Sequence, residues 1–163
     1  MFLNKIKIDW TRTLTLDEIP YHESKKHHFY MIFTVRLDFE LGTKNFDLQY
    51  IGTTNNILSK MIRPSHNLAL KSLILQNQRI VFKLGKLIVL EQGKISFPQL
   101  VKYTGYYLAK QTEPLFNMYE SSPVILDEDE EVLIENIGDF LPLKKNVDTS
   151  DKKSFKSKTK IYL

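Results

Sequence analysis

Apolar and polar residues alternate over residues 3–10, with Ile6, Ile8 and Trp10 on one face at period two. That pattern predicts a short strand or an extended arm. Residues 14–20 read as a loop or a single turn closed by Pro20, and residues 23–28 are polar. Residues 29–39 are rich in Phe, Tyr, Ile, Val and Leu and predict a strand. Gly42-Thr43-Lys44-Asn45 supplies turn chemistry, and residues 46–53 predict a second strand that pairs back as a β-hairpin. Thr54-Asn55 is a cap for a helix from about residue 56 to residue 61, ended by Arg63-Pro64, and Leu68, Leu70, Leu73, Ile74 and Leu75 predict another helix over 67–76. Residues 79–92 are strongly apolar, and the central Leu84-Gly85-Lys86 predicts a bulge or bend rather than one straight strand.

The clearest local signal is Ser96-Phe97-Pro98-Gln99. Ser96 suits an N-cap, Gln99 completes a capping box, and Pro98 is tolerated in a first turn. A helix is predicted to run to about Thr112, with Phe97, Leu100, Val101, Thr104 and Leu108 as its apolar stripe and Pro114 as its stop. The five acidic residues 127–131 read as a solvated turn, and Val132-Leu133-Ile134 as a last strand.

Composition bounds this picture. A chain of 163 residues, 42% of them apolar and 12% aromatic, suits one domain with a core of its own. The absence of cysteine excludes disulfides, thiolate nucleophiles and Cys-based metal sites, and it fits a cytoplasmic protein. No run of 18 apolar residues is present, so no membrane span is expected, and Met1-Phe2-Leu3-Asn4-Lys5 is not the core of a signal peptide. Net charge is +4, unevenly spread. Residues 144–160 hold seven lysines and two aspartates, or +5, which leaves 16 basic and 17 acidic residues, or −1, elsewhere. One domain over 1–143 followed by a disordered, Lys-rich tail over 144–163 is expected. Such a tail binds phosphates by counterion release, or simply solubilises the chain.

Three features occur in a telling order: Phe29-Tyr30-Met31-Ile32-Phe33 in one strand, Tyr50-Ile51-Gly52 ending the next, and a later capped helix closing in Pro114-Leu115-Phe116-Asn117. Together they resemble the GIY-YIG nuclease superfamily over roughly residues 29–117. The resemblance implies an α+β fold: a small antiparallel three-stranded sheet flanked by helices, here with an N-terminal extension and the basic tail. It also implies Tyr30 and Tyr50 beside a scissile phosphate, Lys60 (or Arg63) where the family keeps a phosphate-binding arginine, His66 near a frequent histidine, and Asn117 supporting the site. An active member is a DNA endonuclease that uses Mg2+ and acts on double-stranded DNA.

The sequence departs from the family at its metal ligand. Twelve residues before Asn117 stands Gly105, where the family carries a glutamate. Glycine offers no ligand and costs about 1 kcal/mol in a helix interior. Either another segment packs closely against Gly105 or the catalytic pocket has been refilled. Asp38, Glu40, Asp47 and Glu113 are poorly placed substitutes. Two classes of function stay open: a divergent metal-dependent endonuclease, and an inactive relative that binds DNA or a protein partner, homo-oligomers included. An unrelated α+β interaction domain is the residual alternative.

Overall fold

The computed structural model describes residues 1–23, 26–53, 79–114 and 126–149. The alternating segment at the start becomes β1 (Phe2–Trp10), and the predicted hairpin becomes β2 (Phe29–Asp38) and β3 (Thr43–Thr53). The apolar stretch after it is β4 (Ile80–Glu91), and the capped segment is the helix α2 (Phe97–Thr112). The chain ends, among the described residues, in β5 (Glu130–Gly138) and β6 (Asn146–Asp148). Between β1 and β2 a 3-10 turn (Leu16–Glu18) leads directly into the short α1 (Ile19–Glu23), so Pro20 sits in a first helical turn rather than closing a loop. The helices expected over 56–61 and 67–76 lie outside the described residues.

These strands form one mixed, strongly curled half-barrel sheet of six strands, in the order β3-β2-β4-β1-β5-β6. This corrects the expected three-stranded sheet. β2, β3 and β4 are present as antiparallel neighbours. But β1 is no arm: it lies inside the sheet, antiparallel to β4 and parallel to β5 from Phe2↔Glu130 through Trp10↔Gly138. The reason is physical. Period two tells which face of a strand is buried but not which strand it meets, and this partner lies far away along the chain. β6 falls within the segment whose lysine content marked it as tail, because Val147 is buried and the strand pairs with β5.

Gly85 does not break β4. It pairs with Trp10 on one side and Phe29 on the other, and a Cβ there would come within 2.9 Å of Ile8 Cγ2 and Trp10 Cζ3. Glycine at this position makes room for the indole while the strand keeps pairing on both sides. The irregularities lie elsewhere: the β1–β4 register steps between Lys5 and Ile6, and the β2–β3 register steps between Ile32 and Phe33.

The two faces of the sheet are covered differently. The inner face, with Ile6, Ile8, Trp10, Phe29, Met31 and Phe33, packs against Leu100 and Leu108 of α2. Burying each such leucine contributes about 1.5–3 kcal/mol. On the opposite face of β2, Tyr30 and Ile32 join Tyr50, Phe82 and Leu84 beneath Leu14 and Ile19. β2 is therefore buried on both sides through Thr34. The segment that covers this second face is locked from outside. Arg12 Nη2 donates to Glu18 Oε1 at 2.7 Å and the Thr15 amide donates to Glu18 Oε2 at 2.8 Å. These bonds, the arginine's first, hold the Glu18 carboxyl down at about 2.

The start of α2 is fixed by a buried polar network rather than by the expected capping box. Ser96 Oγ donates to Gln99 Oε1 at 2.9 Å instead of accepting from a backbone amide. Glu130, read from sequence as part of a solvated acidic turn, is buried at the start of β5. Its carboxylate accepts from Asn4 Nδ2 at 2.6 Å and from the Lys94 amide at 2.8 Å, while Asn4 Oδ1 accepts from the Gly93 amide at 2.7 Å. The loop leading into α2 is thus tied to β1 and β5.

Candidate functional site

Antiparallel pairing of β2 with β3 sets Tyr30 opposite Gly52 and Ile32 opposite Tyr50. The two phenol rings consequently lie on one face, with centroids 5.5 Å apart and planes inclined by 30°. Gly52 is what permits this approach. A Cβ on it would lie 2.5 Å from Tyr30 Cζ and Oη and from Tyr50 Cε1. The Tyr-Ile-Gly tripeptide thus has a definite structural role: its glycine is the floor on which two tyrosines meet.

Both tyrosines are only 1% exposed. A general base or water-positioning phenol must reach the reacting group within hydrogen-bond distance. Here the rings stand among Leu14, Ile19, Ile32, Phe82 and Leu84, so a phosphodiester would have to displace that apolar cover to reach them.

Gly105 lies across the sheet from this pair. It is buried on the side of α2 that packs on the inner face, next to Phe29 Cδ1, and a Cβ built on it would overlap Thr53 Cγ2. Phe29 and Thr53 are themselves a cross-strand pair, one residue before Tyr30 and one after Gly52, so their side chains point the other way. The structure therefore answers the question posed by the sequence in favour of close packing: α2 rests directly on β3 at this point. The position that the resemblance aligned with a metal-binding glutamate has neither a carboxylate nor room for one. It also does not share a face with Tyr30 and Tyr50. A divalent cation finds no ligand at this position. Among the described residues, no group of three or more His, Asp or Glu side chains converges.

The remaining sequence candidates, Lys60, Arg63, His66 and Asn117, lie outside the described residues. Of the expected constellation the structure brings together Tyr30, Tyr50 and Gly52, and it separates Gly105 from them. Of the substitutes considered for the glutamate, Asp47 accepts from Arg36 Nε at 3.1 Å, and Asp38 Oδ1 accepts from the Glu40 and Leu41 amides in the hairpin turn. Both carboxylates hold the hairpin together at its surface.

Sequence reasoning missed one further polar centre. Lys83, in the middle of β4, has a side chain 8% exposed. Its Nζ donates to Asp139 Oδ1 at 2.8 Å and to the Leu141 carbonyl at 2.9 Å, 5.3 Å from the centroid of the Phe33 ring. The signal was a lysine within an otherwise apolar strand. Its partners give it a clamping role: it ties the turn after β5 to the sheet.

His28 is a third titratable group near this region. Its Nδ1 accepts from the Leu87 amide at 3.0 Å, and its ring meets Phe97 edge-on at 5.3 Å. Partial burial, and then the charge of Lys86, lower its pKa from the ordinary value. It joins β2, β4 and the first residue of α2 as a neutral imidazole.

Comparison of the chain with protein-family models, curated proteins and solved structures finds no significant match.

Proposed function

We propose that this chain binds double-stranded DNA without cutting it, as a relative of the GIY-YIG nucleases whose cleavage chemistry is not assembled. One observation carries the reading: the metal-glutamate position is a glycine packed against Thr53, on the face of the sheet opposite Tyr30 and Tyr50. Phosphodiester cleavage of the family's kind needs the carboxylate-held metal and the phenols around one phosphate. Binding needs only cations that replace condensed counterions, and the Lys-rich segment after residue 149 supplies five between 152 and 160.

A plasmid assay tests both halves. Supercoiled DNA incubated with the full chain and Mg2+ or Mn2+ is expected to be retarded on a native gel and to remain supercoiled after the protein is removed. Metal-dependent nicking that disappears in Tyr50→Phe would overturn the non-cleaving half of the reading. Unretarded plasmid at low salt would overturn the binding half.

A further inference from the structure

The β2–β3 hairpin reaches beyond the strand that flanks it. β2 pairs with β4 from Phe29↔Gly85 to Thr34↔Ile80, and the last link on that side is the Val35 amide, which donates to the Arg79 carbonyl at 2.9 Å. From Arg36 to Asn45, β2 and β3 pair only with each other among the described residues. A ribbon of two strands is marginal in water by itself. Its turn is nevertheless well built. Asp38 Oδ1 accepts from the Glu40 amide at 3.0 Å and from the Leu41 amide at 3.1 Å, and Gly42 takes the left-handed φ of 63°. That turn holds Phe39 and Leu41 outward, 89% and 75% exposed.

Strand alternation gives the ribbon two unlike faces. On one, Thr34, Arg36 and Asp38 stand opposite Asp47, Asn45 and Thr43, and Arg36 Nε donates to Asp47 Oδ2 at 3.1 Å. On the other, Phe33, Val35 and Leu37 stand opposite Leu48, Phe46 and Lys44, which prolongs the apolar inner face of the sheet. Phe33 is buried there, but Phe46 is 49% exposed. β3 has a strand neighbour only on its β2 side among the described residues, so residues 43–48 offer an open strand edge next to these exposed apolar side chains. Charge narrows what can cover it. Residues 36–47 carry Arg36 and Lys44 against Asp38, Glu40 and Asp47, a net −1. Such a ribbon gains nothing from phosphate, whether of nucleic acid or of a lipid surface, and calls for a protein strand.

We infer that the ribbon is a self-association arm: β3 of one copy adds antiparallel to β3 of a second copy, with Phe46 on the two-fold axis. The sequence of β3 selects this register. An antiparallel strand that pairs with itself places one residue on the axis. With Phe46 there, two aromatic side chains meet, and Asn45 of each copy faces Asp47 of the other, an amide donor against a carboxylate, twice. Lys44 then lies opposite Leu48, whose side chain its aliphatic stem can cover. An axis at Lys44 would instead set two like charges against each other. The contact is isologous, so it closes at a dimer and removes the open edge from both copies. It is small for a specific interface, and micromolar association is expected. This inference stands apart from the DNA-binding reading and does not need it.

The test is sedimentation equilibrium of the full chain from low to several hundred micromolar, without DNA. The unmodified chain is expected to pass from monomer to dimer. Phe46→Lys puts two like charges on the axis and is expected to weaken the dimer by at least about tenfold. Phe39→Ser with Leu41→Ser changes only exposed turn residues, and it is expected to weaken the dimer several-fold even if Phe46→Lys fails to fold, which far-UV circular dichroism would show. Cross-linking locates the axis. The chain has no cysteine, so Phe46→Cys supplies a single thiol, and mild oxidation is expected to link two copies through it. Leu16→Cys, comparably exposed but on the segment that covers the opposite face, is expected to stay unlinked at the same concentration. A chain that remains monomeric throughout the range overturns the proposal. So does a dimer that neither the turn variant nor a folded Phe46→Lys weakens, or one that links no faster through residue 46 than through residue 16.

Discussion

Gly105 decides between close packing and catalysis, and its environment makes a prediction with a sign. Alanine there gains about 1 kcal/mol of helix propensity. Against that stands the overlap of its Cβ with Thr53 Cγ2. Overpacking a filled interior costs about 1–3 kcal/mol. Gly105→Ala is therefore expected to lower stability in urea by about 1 kcal/mol. In a Thr53→Ser background the offending methyl is gone, and the same substitution is expected to stabilise by up to about 1 kcal/mol. Stabilisation in both backgrounds would show that α2 does not rest on β3 at this point. His28 gives a second residue-scale prediction. Its Nδ1 accepts a backbone hydrogen bond, so protonation breaks that bond. Because the folded pKa is lowered, its contribution is complete above the unfolded value of about 6.5 and is lost as pH falls through the folded one. The stability advantage over His28→Phe should shrink between about pH 7 and about pH 5. A constant difference across that range would contradict the latch. In the sequence, Gly105 was legible as an anomaly, but its cause was not, since the cause is a methyl group on another strand.

At the scale of elements, hairpin and helix were the legible parts. Both are local: β2 and β3 are joined by a short turn, and α2 has a start signal at Ser96 and a stop at Pro114. β1 and β5 were visible as strands, yet their parallel pairing was not, because alternation carries no address. Gly85 was not legible for a related reason. The side chain that needs its space, Trp10, belongs to a strand outside the local window. Glu130 is the element-scale counterpart. In sequence it is one acid among five, and in the fold it satisfies Asn4 and the amide of Lys94 together. Glu130→Ala removes this acceptor from both, with Asn4 Nδ2 keeping the Glu131 carbonyl, and should cost about 1–2 kcal/mol in chemical denaturation. A cost near zero would mean that the loop into α2 is held by other interactions.

At the scale of the whole molecule, the curled six-stranded sheet separates what the sequence had grouped together. Tyr30, Tyr50 and Gly52 lie under the Leu14–Ile19 cover, while Gly105 of α2 meets Thr53 on the other face. The expected site thus splits across the sheet. What the sequence did make legible at this scale is the concentration of lysine in residues 144–160. Whether DNA is held and not cut can be read from a single titration. The full chain is added to labelled duplex DNA in Mg2+, followed by anisotropy and then by denaturing gel on the same samples. Binding should weaken steadily with added salt, and every strand should be recovered at full length. Shortened strands, or no change in anisotropy at low salt, would contradict a DNA-holding, non-cleaving protein.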